Sequence, residues 1–183
     1  MAVGATVRRF EVTLSDVDRG VYETLDLRLA QHPSEHDRWL VTRLFAYCLS
    51  HQEGIAFSKG GLSDTDEPPV LVRDAGGRLV AWIDVGQPSA ERLHKARKLV
   101  DRVSLYTLAA PDALRREMAT RRVHELASIE AHRIDTPVVD AVAAHLGRAL
   151  SLELVRTDGR LYVTLDGQVV EGAIELFSLA AEG

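Results

Sequence analysis

The sequence predicts a mixed α/β (α+β) domain, and three observations carry that prediction. Stretches with apolar residues at every second position alternate along the chain with stretches that repeat them every three to four residues, as strands interleaved with amphipathic helices do. Glycine-containing turns, Ala75-Gly76-Gly77, Asp158-Gly159 and Asp166-Gly167, separate neighbouring strand stretches at hairpin spacing. Ser34, Pro88-Ser89, Pro111 and Thr136-Pro137 stand where helices should open, since a hydroxyl or a proline suits a helix start.

Each element follows in order. Phe10, Val12 and Leu14 alternate within Thr6 to Ser15, and Leu25, Leu27 and Leu29 within Val21 to Leu29, which predicts a hairpin turning at Asp16 to Gly20. Ser34, with Asp37 three residues on as an acidic capping box, should start a first helix whose apolar face is Trp39, Leu40, Leu44, Phe45, Cys48 and Leu49. Ile55 to Ser58 reads as a short strand. Pro69 to Val85 reads as a second hairpin, with strands Val70-Leu71-Val72 and Leu79 to Ile83. Pro88-Ser89 opens a second helix with apolar Leu93, Ala96, Leu99 and Val100, followed by a strand at Val103 to Leu108. A third helix from Pro111 to about Arg122, a strand from Val123 to Ile134, a fourth helix ending near Gly147 and a closing β meander complete the chain. We find no repeat, linker or internal boundary, so residues 1–183 should form one domain.

Size and composition agree. The 183 residues are long enough to bury a sizeable core, and 46% hydrophobic with 27% charged residues excludes disordered and collagenous classes. A single cysteine and an N-terminus without a basic-then-apolar layout point to a cytoplasmic protein without disulfides. No apolar run reaches the roughly 18 residues of a membrane span, so no membrane partner is expected. Net charge is -5, which excludes a nucleic-acid coat protein. The charge is unevenly spread. Residues 64–91 hold six acids against two arginines, and residues 92–122 hold nine bases against three acids.

Several motif strings fail on inspection. His32-Pro33-Ser34-Glu35-His36 has the H-x-x-E-H spelling of a zinc protease, but Pro33 and the Ser34 cap leave His32 outside the helix. His124-Glu125 begins an H-E-x-x-H string that Ser128 ends. Asp64-Thr65-Asp66-Glu67 starts like a calcium loop, and Pro68-Pro69 break it. Cys48 lies on an apolar helix face, where it reads as a small hydrophobe.

One constellation survives. If the second hairpin turns between Gly76 and Gly77, cross-strand partners sum to 153, Asp84 lies opposite Pro69, and Gly86 lies opposite Glu67. Asp84 and Glu67 then share a face at the open end of the hairpin. Two carboxylates so placed can share a hard divalent cation that keeps the rest of its shell as water, or they can stand as two solvated acids.

His32-Pro33-Ser34-Glu35, Asp66-Glu67-Pro68, Trp82-Ile83-Asp84-Val85-Gly86 and Arg92-Leu93-His94-Lys95-Ala96 together resemble the bacterial YaeQ family over essentially the whole chain. That family looks like a compact variation of the PD-(D/E)XK nuclease fold. The resemblance implies a restriction-endonuclease-like core of helix, three strands, helix and strand with a mixed central sheet, carrying the N-terminal hairpin and the C-terminal meander as additions. It also implies a metal-dependent nuclease, with Mg²⁺ or Mn²⁺ held by Glu67 (or Asp66), Asp84 and the Val85 carbonyl, and with Glu35 assisting. The sequence departs from the superfamily where a lysine is expected two residues after Asp84, because Gly86 stands there. Lys95 on the second helix is the candidate replacement. Lys98, Arg102, Arg115, Arg116, Arg121 and Arg122 would hold a nucleic-acid backbone through sequence-independent phosphate contacts. The alternative is a catalytically inactive nucleic-acid- or protein-binding module on the same fold.

Overall fold

The computed structural model of the chain describes residues 4–59 and 65–181. Asp64, first of the acids before the second hairpin, lies outside them. Ten strands form one mixed sheet: β1 (Thr6–Asp16), β2 (Val21–Gln31), β3 (Ile55–Phe57), β4 (Val70–Arg73), β5 (Leu79–Val85), β6 (Arg102–Thr107), β7 (Glu130–Ile134), β8 (Ala149–Thr157), β9 (Arg160–Leu165) and β10 (Gln168–Phe177). Their spatial order is β2-β1-β8-β9-β10-β7-β6-β5-β4-β3. Helices α1 (Asp37–Leu49), α2 (Ala90–Leu99), α3 (Pro111–Met118) and α4 (Thr136–Ala144) cover it. The succession α1-β3-β4-β5-α2-β6 is the helix, three strands, helix, strand order read from the sequence.

The strand period of two decides which helix each strand residue meets. In β5, Ala81, Ile83 and Val85 point into a core shared with Leu40, Leu44 and Phe45 of α1 and Val138, Val139 and Val142 of α4. Trp82, between them, points the other way, into a second core with Leu93 and Ala96 of α2 and Leu114 and Met118 of α3. Phe10, Val12 and Leu14 of β1 and Leu25, Leu27 and Leu29 of β2 extend the first core. The β1–β2 hairpin joins the sheet through β8, which runs parallel to β1.

The second hairpin keeps the expected register. Val70 pairs with Ile83, Leu71 with Trp82 and Val72 with Ala81, all summing to 153, and the ladder slips by one only at Arg73. Its turn is tied by Asp74, whose Oδ1 accepts from the amides of Gly76 and Arg78 at 3.0 and 2.9 Å. Both meander turns place an aspartate and a glycine at positive φ, 50° and 70° at Asp158-Gly159 and 49° and 77° at Asp166-Gly167, as type I′ hairpin turns require.

Three expectations need correction. Helix α1 opens at Asp37, not at Ser34, because Pro33 and Ser34 sit in a turn closed by the Glu35 amide on the His32 carbonyl at 2.9 Å. Ser34 Oγ pairs with the His32 ring rather than capping the helix, and Gln31 Nε2 holds the Glu35 carbonyl and Asp37 Oδ1. Helix α3 stops at Met118, so Arg121 and Arg122 lie in the loop beyond it. The apolar residues after it that suggest a long strand are divided. Val123 and Ile129 are buried under α2 and α3, a short 3-10 turn spans Leu126–Ser128, and only Glu130–Ile134 pairs as β7.

Candidate functional site

The N-terminus of α1, the entrance to β4 and the exit of β5 lie at one end of the sheet, bringing the segments that carry Glu35, Asp66, Glu67 and Asp84 together. The four carboxylates nevertheless face different partners.

Asp84 ends β5 on the Trp82 face and is 2% exposed. Its Oδ2 accepts from Trp82 Nε1 at 3.0 Å and from Arg92 Nε at 2.7 Å, and its Oδ1 accepts from the Val85 amide at 3.2 Å. Arg92 reaches it from the first turn of α2, where the Ser89 side chain caps the helix by accepting from the Arg92 amide. The same guanidinium donates to the Thr65 carbonyl at 3.2 Å and the Glu67 carbonyl at 3.1 Å, and lies 5.1 Å above the Trp82 ring. It therefore bridges the acid of β5 to the loop before β4. The rigid guanidinium plane suits this bridge, since its three nitrogens reach three separate acceptors, whereas a lysine offers its donors from a single nitrogen.

The Glu67 carboxylate turns to Arg73 at 3.5 Å, on the exposed side of the hairpin. Asp66 pairs with Lys95 at 2.6 Å, and that ammonium holds the exposed Asp66 carboxyl below the usual carboxylate range. Glu35 is buried before α1, with Oε1 3.9 Å from Arg43. Arg43 is itself 2% exposed, donates to the carbonyls of Ser58 and Pro69, and packs over Trp39 and Phe57. Burial pulls its pKa down and Glu35 opposes that pull. Val85 points into the α1-side core.

At Gly86, where the resemblance implies a lysine, φ is +87° and an added Cβ would lie 3.3 Å from the Trp39 indole. The space beside it belongs to Trp39, Thr42 and Leu108, which help line a cavity of about 330 Å³. Lys95 serves Asp66 and does not enter that space.

The basic residues divide. Lys98, Arg121, His94 and His124 crowd together, and the His124 amide donates to His94 Nδ1 at 3.1 Å. Partial desolvation first, then Lys98, Arg121 and His124, lower the His94 pKa, against Glu91. Arg121 is 3.5 Å from Glu91. Arg116 and Arg122 are exposed. Arg115 is turned to Asp112 and the Ser178 carbonyl. Arg102 begins β6, at the opposite end of the sheet, where it donates to Gln52.

A divalent Mg²⁺ or Mn²⁺ needs several oxygen ligands converging on one point. Among the described residues, no three His, Cys, Asp or Glu side chains meet as such a group. Both Asp84 oxygens already accept from protein donors, and a guanidinium stands between Asp84 and the Glu67 loop. These residues, so arranged, do not fit the cation. Sequence reasoning missed the parts played by Arg92 and Arg43. For Arg43 the signal available was an arginine set against apolar Leu44-Phe45 on a largely apolar helix; Arg92 stands on a mostly charged helix, where no such signal marks it.

No helix among the described residues is long and apolar enough to cross a membrane. Comparison with known proteins completes the description. The family described as YaeQ protein matches residues 1–174. The protein named Uncharacterized protein YaeQ of Escherichia coli (strain K12) is 27% identical over 172 residues, covering 93% of this chain and 94% of that protein. Its namesake in Salmonella typhi is 26% identical over 165 residues, covering 90% and 91%. The crystal structure of YaeQ from Xanthomonas axonopodis pv. citri superposes with a TM-score of 0.85 at 31% identity, covering 97% of this chain and 99% of that one. The structure of YaeQ from Pseudomonas syringae gives 0.84 at 29%, covering 95% and 96%. With the family match spanning nearly all of its length and both superpositions covering the sheet and its helices, this chain belongs to the YaeQ family.

Proposed function

We propose that the protein is a non-catalytic nucleic-acid-binding module built on a nuclease-like core. The observation that carries this reading is the Arg92 guanidinium, 2.7 Å from Asp84, in the place where metal-assisted hydrolysis needs a cation and an activated water. A guanidinium neutralises Asp84 but presents no exchangeable ligand position, so the pair holds two segments together and activates nothing. The exposed bases Lys98 of α2, Arg116 of α3, and Arg121 and Arg122 of the loop after α3 supply phosphate contacts on the outer side of that layer. Such contacts are independent of sequence and weaken with salt.

A second reading, the Mg²⁺- or Mn²⁺-dependent nuclease, is favoured by one observation: Glu35, Asp66, Glu67 and Asp84 all come from segments meeting at one end of the sheet. A single experiment separates the two. Fluorescence anisotropy and gel assays are run on duplex and single-stranded DNA and RNA, with either metal. We expect salt-dependent binding without cleavage, and a shallower salt slope when Lys98, Arg116, Arg121 and Arg122 are changed to alanine, by up to about 0.9 for each lost phosphate contact on duplex DNA. Cleavage by the wild type that Asp84→Asn abolishes would establish the nuclease, and absence of binding to all four nucleic acids would remove the module.

A further inference from the structure

At the end of the sheet opposite the acids, a cavity of about 280 Å³ opens between the C-terminus of α1, the starts of β5 and β6, and the ends of β1 and β8. Its floor is a pair of stacked rings, Tyr106 and His132, with centroids 4.8 Å apart and planes 17° from parallel. The Tyr106 hydroxyl meets Ser50 Oγ at 3.0 Å. Arg19, Arg102 and Arg156 stand around it, against Asp16, Asp18 and Glu130.

Equal numbers of positive and negative side chains do not make this site neutral in hydrogen-bonding terms. Asp16 is fully buried and its Oδ2 and Oδ1 accept from Arg19 Nε and the Arg19 amide. Asp18 accepts from the amides of Asp158 and Gly159. Glu130 lies exposed at the rim, 4.0 Å from His132 Nε2. Arg19 is used up as well, since its two terminal nitrogens cap the carbonyls of Cys48 and His51 at the end of α1. Arg156 differs. Its side chain is 16% exposed, Nε pairs with Asp18 Oδ2 at 3.3 Å, Nη1 lies 3.9 Å from Asp16 Oδ2, and no hydrogen bond among the described residues engages its two terminal nitrogens. His132, 8% exposed, likewise keeps a buried Nδ1 with no protein partner. Buried donors are normally satisfied, and a guanidinium has five N–H groups and no acceptor.

We propose that this cavity binds a small organic anion, a carboxylate or phosphate ester, whose anionic head is taken by Arg156 and Arg102 and whose polar body bonds to His132 and Tyr106. The surplus is one of donors, so the complement is a group rich in acceptors, and planar or tetrahedral oxyanions match an arginine fork. The volume suits a molecule of metabolite size rather than a polymer. Burial, and then Arg156, hold the His132 pKa at about 4, which keeps the ring neutral and able to donate at one nitrogen and accept at the other.

The test is a titration of the full chain with inorganic phosphate and, separately, succinate, at fixed ionic strength balanced with chloride. It follows the histidine ring NMR resonances, with His132→Phe used to identify the His132 signal. We expect saturable movement of the His132 signal below about 20 mM with one or both anions, while His32 and His145, exposed and away from the basic cluster of α2, stay still. Phosphate alone saturating would assign the phosphate-ester class, and succinate alone the carboxylate class. Arg102→Gln, at an exposed position that leaves the fold intact, should weaken binding several-fold, and Arg156→Gln about tenfold or more. Failure of His132 to respond to either anion, equal movement at His32 and His145, or unchanged affinity in Arg102→Gln would overturn the proposal, whether or not Arg156→Gln folds.

Discussion

Acidification should unfold this protein in part through one imidazole. His132 sits on β7 with 8% of its surface exposed, stacked on Tyr106, and burial ahead of the Arg156 charge brings its pKa from the ordinary 6.5 to about 4. The unfolded chain binds this proton near 6.5, whereas the folded chain resists it until about 4. Between those values the unfolded state holds more protons, so stability present above about pH 6.5 drains as the pH falls towards 4. The gap is about 2.5 on the pH scale, and at about 1.4 kcal/mol for each it amounts to about 3 kcal/mol. That is a large share of a typical domain's stability. His132→Phe keeps a ring against Tyr106 and removes the titration. Urea unfolding followed by Trp39 and Trp82 fluorescence, at several pH values from about 7.5 to about 4, gives the stability of both proteins. The charged neighbours of the ring, Asp16, Asp18, Glu130 and Arg156, are present in wild type and variant alike, so the difference between the two curves reports His132. It should shift by about 3 kcal/mol in favour of the variant across that range. A difference that stays constant within about 0.5 kcal/mol would refute the reasoning, because it would mean that the folded ring takes up its proton as readily as the unfolded one.

Other consequences are equally open to measurement. Arg92→Ala leaves the Asp84 carboxylate buried without its cation and should lower stability by about 3 kcal/mol in chemical denaturation, whereas Glu67→Gln, at a half-exposed pair with Arg73, should change it by less than about 1 kcal/mol. Gly86→Lys, which restores the lysine of the resembled motif, should destabilise by about 2 kcal/mol and yield no nuclease, since φ is +87° and its Cβ would press on Trp39; cleavage gained by this variant would contradict the geometry. Burial pushes the Cys48 thiol up to about 12, so a thiol-specific disulfide reagent should label the native protein only at its unfolding rate, and immediate labelling would show the thiol to be open.

Elements whose apolar spacing is strict were readable from the sequence. The N-terminal hairpin, the 153 register of the second hairpin and the two Asp-Gly turns follow from period-two alternation and from residues that accept positive φ. The start of α1 was not, because the choice between Ser34 and Asp37 rests on Gln31, at the end of β2, gripping the Glu35 carbonyl and Asp37. Nothing local encodes that contact. The stretch after α3 was misread because Val123 and Ile129 are buried by packing on α2 and α3, not by pairing in the sheet, and both environments select the same residue types. At the acid end the chain segments that carry the carboxylates were legible, whereas the direction of the Glu67 side chain, turned to Arg73, and the partners of all four acids were not. Parity places a side chain on a face but is silent on Glu67, which precedes β4 and lies outside the ladder.

Arg43 and Arg92 explain why that end of the sheet is held so firmly. Arg43 ties α1 to the Ser58 and Pro69 carbonyls on either side of the loop between β3 and β4, and Arg92 ties α2 to the Thr65 and Glu67 carbonyls of the same loop. One guanidinium comes from each face of the sheet, and each is matched by one carboxylate, Glu35 for Arg43 and Asp84 for Arg92. Removing either member of such a pair leaves a buried charge uncompensated, so the acids and arginines act as units. A cation arriving at Asp84 would have to displace three arginine hydrogen bonds and the Trp82 stacking, and would free the loop from α2 in doing so. A cation could therefore occupy Asp84 only if the loop ahead of β4 were released. A divalent ion that bound there would expose residues 65–67 to proteolysis, and an ion that left their protection unchanged would have to bind elsewhere.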